Sequence, residues 1–136
     1  MQNAEKILKK HHLRITQFRV DVVNIFHKAN HAMSANDIEK YLENPDRITL
    51  YRTIKSFEEK GIIHKAIDGT NTPKFALCDD HCDVHDHHDS HVHFHCENCE
   101  NTFCLDEVIV PSITVPKHLK ANHTSMIVNG LCDKCH

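Results

Sequence analysis

The 136-residue chain has room for one ordinary domain or two small ones, and with no tryptophan and 6% aromatic residues neither half can rest on a large apolar core. Its first stretch, Gln2-Asn3-Ala4-Glu5-Lys6, is polar, and no apolar run is long enough to cross a bilayer, so the expectation is a cytoplasmic protein rather than a secreted or membrane-spanning one. The formal charge of −3 is unevenly spread: residues 1–77 hold 13 basic and 9 acidic side chains, whereas residues 78–136 hold 3 and 10, with all seven cysteines and ten of the fifteen histidines. A basic half suits a polyanion, and an acidic half rich in imidazole and thiol suits cations, so two modules with separate partners are expected.

In chain order, Asn3 to His12 sets Ile7 and Leu8 among polar residues and predicts a short amphipathic helix. Thr16 is a suitable N-cap for a second helix, in which Phe18, Val22, Ile25 and Phe26 recur at helical spacing until Asn30-His31 breaks it. Ser34 caps a third, with Asp37 completing a weak capping box and Ile38, Tyr41 and Leu42 expected to face inward. Asp46 caps a fourth, from Arg47 to Lys60, which Gly61 stops. Its buried stripe is Leu50, Ile54 and Phe57, and Arg47, Thr49, Tyr51, Arg52 and Lys55 are left wholly or partly outward.

After Gly61 the period changes from helical to alternating. Residues 62–67 and 72–77, joined by the turn Asp68-Gly69-Thr70-Asn71, read as a β-hairpin. Helices followed at once by a hairpin predict a winged helix-turn-helix over residues 1–77, its last helix in the major groove and its hairpin along the phosphates. Arg47, Thr49, Tyr51, Arg52 and Lys55 are then the candidate DNA contacts, the cations neutralising phosphates or reading guanine edges and the hydroxyls bonding phosphate oxygens.

Residues 78–90 read as a hinge and a loop dense in histidine and aspartate. This loop is a candidate for a further metal site through His85 and His87, with His31 and His123 as partners; a solvated linker is the alternative. In residues 91–136, Cys96-Glu97-Asn98-Cys99 and Cys132-Asp133-Lys134-Cys135 supply four thiolates, the set that closes a structural Zn²⁺ tetrahedron; two disulfides would need an oxidising compartment. His91 and His93 alternate by two, so on a strand their imidazoles share a face. Val108-Ile109-Val110 and Ser125-Met126-Ile127-Val128 look like strands, and Pro111 and Pro116 argue against a long helix between them.

Taken together, Leu13-Arg14-Ile15-Thr16-Gln17-Phe18-Arg19, Ser34-Ala35-Asn36-Asp37-Ile38, Thr49-Leu50-Tyr51-Arg52-Thr53-Ile54, Glu58-Glu59-Lys60-Gly61-Ile62-Ile63, His91-Val92-His93-Phe94-His95-Cys96 and the two knuckles resemble the ferric uptake regulator family over nearly the whole chain. The resemblance implies an α+β protein: an N-terminal winged helix-turn-helix followed by a small α/β dimerisation domain over residues 91–136, with Cys96, Cys99, Cys132 and Cys135 as structural zinc ligands. It also implies a homodimeric, metal-responsive repressor that binds a double-stranded DNA operator, with no membrane and no small organic substrate among its partners. Iron- and peroxide-responsive members use positions matched here by His31, His91 and His93, but Ala76 stands where their wing carboxylate is and Cys104 at a later carboxylate, with Asp106 nearby. Both departures remove hard oxygen donors and weigh against Fe²⁺ or Mn²⁺.

Zinc-responsive members resemble the chain more closely, and the likeness makes His64, Cys78, His91 and His93 an N₃S sensory site for Zn²⁺. The family's other regulatory site falls on Ser90 and Val92, so its usual form is not expected. The reading is therefore a zinc-sensing repressor of zinc-uptake genes, with an iron- or peroxide-responsive regulator as the alternative. From other classes, a metal-buffering protein leaves the helices and wing unused, and a thiol redox sensor would act through Cys78, Cys82 or Cys104. No enzyme is expected: a zinc hydrolase lacks its His-Glu-x-x-His, and a four-cysteine site has no open position.

Overall fold

Each helix starts on a residue whose side chain accepts an otherwise unpaired backbone N–H. In the computed structural model, which describes residues 3–78, 92–105, 107–108, 111–122 and 124–136, Asn3 accepts from Lys6 N at 2.8 Å and opens α1 (Ala4–Lys10). Thr16 Oγ1 accepts from Arg19 N and opens α2 (Gln17–Ala29), which ends on Asn30 in the left-handed region at φ 63°. Both hydrogen bonds of the Ser34–Asp37 capping box form, opening α3 (Ala35–Glu39). Asp46 Oδ1 accepts from Ile48 N and opens α4 (Arg47–Glu59), and Gly61 follows it at φ 80°.

These helices close on one core. Leu8 of α1, Val22 and Phe26 of α2, Ile38 of α3 and Leu50 and Phe57 of α4 are buried against Ile63 and Phe75. Tyr41 departs from the expected inward face: it is 69% exposed, because α3 stops at Glu39 and the helical period does not carry on to residue 41.

The hairpin is β1 (Ile63–Ala66) paired antiparallel with β2 (Lys74–Leu77), with His64 opposite Ala76. It is fixed to the helical part at its start and along one edge: Ile62, just before β1, donates its N–H to Phe57 O of α4, and Met33, between α2 and α3, exchanges two backbone bonds with Phe75 of β2. A second sheet has the order β4-β3-β5, with β3 (Val92–Cys96) antiparallel to β4 (Thr102–Leu105) and parallel to β5 (Met126–Gly130).

Strand β5 falls within one or two residues of its expected place, whereas β4 carried no sequence signal. Val108 is not in a strand: its N–H closes a turn onto Leu105 O, and Ile109 and Val110 lie outside the described residues. Among the described residues no helix follows Glu59, in keeping with Pro111 and Pro116. Loop 79–90, with Cys82, His85 and His87, and likewise His91, Asp106 and His123, fall outside the described residues.

Candidate metal centres

The parallel pairing of β3 and β5 sets Cys96 opposite Gly130, and Glu97 N donates to Gly130 O at 2.8 Å. That register brings the knuckle after β5 back beside the knuckle after β3. The sulfurs of Cys96, Cys99, Cys132 and Cys135 all lie within 4.8 Å of one another, and Cys99 Sγ is 3.8 Å from Cys132 Sγ. A tetrahedron with Zn–S bonds of about 2.3 Å has edges of about 3.8 Å, so the four thiols fit one such ion. Hydrogen bonds from the backbone N–H groups of Cys99 and Cys132 hold the Cys96 thiol below its ordinary value, and burial pushes Cys132 up. Gly130 packs closely under Phe94: a Cβ there would stand 3.2 Å from Phe94 Cζ, so any side chain would need the ring to give by a few tenths of an ångström.

One face of the β3–β4 ladder turns toward the hairpin. Residues two apart share a face, so the cross-strand pairs His93–Cys104 and His95–Thr102 stand side by side on it. His64 of β1 meets the first pair: its Nε2 lies 3.3 Å from Cys104 Sγ, and its ring centroid 5.9 Å from that of His93. One ligand atom from each of His64, His93 and Cys104 falls within a 4.8 Å group, and both imidazoles are almost fully buried, at 2% and 3% exposure. Cys78 also reaches His64, but at the other ring nitrogen, its Sγ 3.4 Å from Nδ1.

Of the expected sensory quartet, His64 and His93 thus come together with Cys104, Cys78 touches His64 from the far side, and His91 is outside the described residues. Cys104 is the addition. Its position was legible as a family ligand position, yet a thiol there reads from the sequence as a lost carboxylate rather than as a softer donor in its place. Of the further site, only His31 is described. Its Nδ1 lies 2.9 Å from Ala32 O, it packs edge-on to Phe103, and among the described residues it joins no group of metal-ligating side chains.

The second pair meets Asp68, four residues beyond His64 in the turn. Its carboxylate is buried and accepts from Thr70 N and Oγ1, from Thr102 Oγ1 at 2.9 Å and from Lys74 Nζ at 2.9 Å, with His95 Nδ1 3.8 Å away. Lys74 also donates to Glu100 O just after the first knuckle, and Ala32 N, between α2 and α3, donates to Thr102 O, so the N-terminal part and the sheet are held together by protein groups as well. Burial by itself raises the Asp68 pKa and is the largest single influence. The hydrogen bonds from Thr70, Lys74 and Thr102 together outweigh it and hold the carboxyl well below the usual range.

The family model described as ferric uptake regulator family matches residues 10–129. This chain belongs to that family. The "Ferric uptake regulation protein" of Staphylococcus epidermidis is 31% identical over 98% of this chain and 94% of its own, and that of Staphylococcus aureus is equally identical over 98% and 96%. Among solved structures, a zinc uptake regulator complexed with zinc and DNA superposes with a TM-score of 0.65 at 21% identity, covering 96% of this chain and 89% of that one. The Vibrio cholerae ferric uptake regulator gives a TM-score of 0.62 at 18% identity over 94% and 98%. Ferric uptake regulator family proteins are metal-responsive, DNA-binding transcriptional regulators, not enzymes.

In this family member, the outward side of α4 carries Arg47, Tyr51, Arg52 and Lys55, all exposed, while Thr49 is half-buried. Two of the five candidate DNA contacts already have partners within the chain: Arg47 Nε pairs with Glu39 Oε1 at 3.2 Å, and Thr49 Oγ1 donates to Asp46 Oδ2 at 2.6 Å. Tyr51 and Lys55 line a cavity of about 370 Å³ that runs on to Lys65 and Thr72 of the hairpin, so helix and hairpin present one continuous concave surface. No helix among the described residues is long and apolar enough to cross a membrane.

Proposed function

We propose that the protein is a cytoplasmic, homodimeric repressor that senses Zn²⁺ and controls zinc-uptake genes, with the four-cysteine group as its structural zinc site. The supporting observation is the meeting of His64, His93 and Cys104 across the boundary between hairpin and sheet. Two imidazoles and a thiol are borderline-to-soft donors, and no carboxylate joins that group among the described residues. The names of the curated relatives point to iron, and iron is the second reading. The donor chemistry favours zinc over it, because Fe²⁺ and Mn²⁺ sites draw on hard oxygen ligands.

His64 would hold the ion through Nε2, with Cys78 at Nδ1 fixing the ring's orientation and tautomer. His93 and Cys104 would hold it from the sheet. A bound Zn²⁺ supplies a cross-link between the two. β1 follows α4 through a tight turn in which Ile62 N donates to Phe57 O, so whatever fixes His64 against the sheet would also fix α4. In a two-fold dimer that orientation decides whether two α4 helices reach half-sites roughly 34–36 Å apart. Metal then selects the DNA-competent state, and DNA tightens metal binding by the same factor. Protons compete for the thiol and imidazoles, so metal affinity falls as pH falls.

A titration of operator binding against free Zn²⁺ set by a chelator buffer tests the reading. Tight binding only above a threshold of free Zn²⁺, with a weaker response to Fe²⁺ under anaerobic conditions, is the expected result. Equal affinity with and without available metal would overturn it.

A further inference from the structure

The first turn of α4 presents an apolar side chain where the reading of DNA is expected. Ile48 is 64% exposed. The buried residues Leu50, Thr53, Ile54 and Phe57 define the inner side of the helix. At about 100° per residue, Ile48 lies within about 10° of the direction opposite their mean, between Arg52 at about 40° on one side and Lys55 at about 20° on the other. Its N–H is anchored on Asp46 Oδ1 at 3.1 Å, which fixes the start of the helix. Its two neighbours in that turn already have partners within the chain, Arg47 in Glu39 and Thr49 in Asp46. Ile48 is left at the centre of the outward face.

An isolated exposed isoleucine is ordinary on a protein surface; its position is what carries the argument. A β-branched residue lowers helix propensity, and no shielding within the chain repays that here. In a helix-turn-helix the N-terminal residues of the recognition helix touch base edges, and the one apolar feature of a base edge in the major groove is the C5-methyl of thymine.

We propose that Ile48 is a specificity-determining residue that reads a thymine methyl group in each operator half-site. This rests on the reading of the chain as a metal-dependent operator-binding protein. Arg52 and Lys55 flank it as exposed cationic contacts to the duplex, and Ile48 adds discrimination at one base pair.

The test uses the full-length, Zn²⁺-loaded protein and a duplex selected by it from a random pool. Each thymine of that duplex is replaced in turn by deoxyuridine, which removes only the methyl, and affinity is read by fluorescence anisotropy. The wild type is expected to lose about three- to fourfold at one position per half-site, the worth of one buried methyl. Ile48→Ala is expected to be indifferent there while keeping the wild-type profile at other thymines, and Ile48→Val is expected to keep most of the loss. A wild type indifferent to every methyl, or an Ile48→Ala profile identical to the wild type, would overturn the inference and leave operator binding standing. Failure of the wild type to select any duplex at saturating Zn²⁺ would overturn the operator reading and this inference with it.

Discussion

All four thiols of one candidate centre come from a single sheet and its two knuckles, whereas the other takes His64 from the hairpin and His93 and Cys104 from the sheet. The first group closes on itself within a few residues of strand ends already paired through Glu97 and Gly130. The second exists only while hairpin and sheet stay together. On the proposed function, an ion in the first would hold one sheet and its knuckles together, and an ion in the second would join that sheet to the hairpin, so the same element could serve as staple and as signal depending on what its ligands join. The contrast can be broken by mutation.

The largest effect is expected from Cys96→Ser. Structural zinc in small domains is worth about 10 kcal/mol or more, comparable with the entire stability of a typical domain at about 5–15 kcal/mol. The sheet also has little else to hold it, with Phe94 and Phe103 half-buried and Val128 and Leu131 exposed. Circular dichroism melting is expected to lose the transition of the C-terminal sheet, and elemental analysis to lose one zinc per chain. A variant that melts like the wild type would show that the thiols are not a staple.

Next in size is Asp68→Asn, which probes the protein-only link beside the bridging group. Leaving one partner of a buried pair costs about 3–5 kcal/mol, and the lower end is expected here because Lys74 keeps its bond to Glu100 O. The pH dependence has a definite sign. The folded pKa of Asp68 is depressed, so its contribution is complete above the unfolded value of about 4 and is lost as pH falls through the folded value. The gap in urea midpoint between wild type and Asp68→Asn should therefore be wide at pH 6 and should narrow as pH falls below about 4. A gap that stays constant across that range would mean that the carboxylate is not ionised and paired as the structure has it.

Much of this was legible in the sequence, and the boundary between what was and what was not has a physical reason. Local chemistry shows itself in a single segment: the caps at Thr16, Ser34 and Asp46, the stop at Gly61 and each Cys-x-x-Cys knuckle depend on residues a few positions apart. Strand β4, four residues long and carrying the pattern Thr-Phe-Cys-Leu, gains its identity only from pairing with β3. The same non-local register places Cys104 opposite His93 and Thr102 opposite His95. A thiol forty residues from His64 thus becomes its neighbour, and Asp68, read from sequence as an ordinary turn residue, becomes buried beneath Thr102. Tyr41 departs for the opposite reason: α3 ends at Glu39, so the helical period does not reach it.

The finest comparison sets two thiols on the same imidazole against each other. Cys104 lies at Nε2 of His64, on the side of His93, and Cys78 at Nδ1. One ring presents one nitrogen to an ion, so only one of these sulfurs can be a fellow ligand while the other orients the ring. If Nε2 binds, Cys104→Ser should raise the free Zn²⁺ needed for operator binding by on the order of 100-fold or more, and Cys78→Ser by less, about tenfold, the lower end of the cost of losing an outer partner. Both variants should keep the wild-type melting curve without metal, because neither sulfur belongs to the four-cysteine group. The opposite ranking would mean that His64 binds through Nδ1 with Cys78 as the ligand. The bridge between hairpin and sheet would then depend on His93 alone from the sheet side among the described residues.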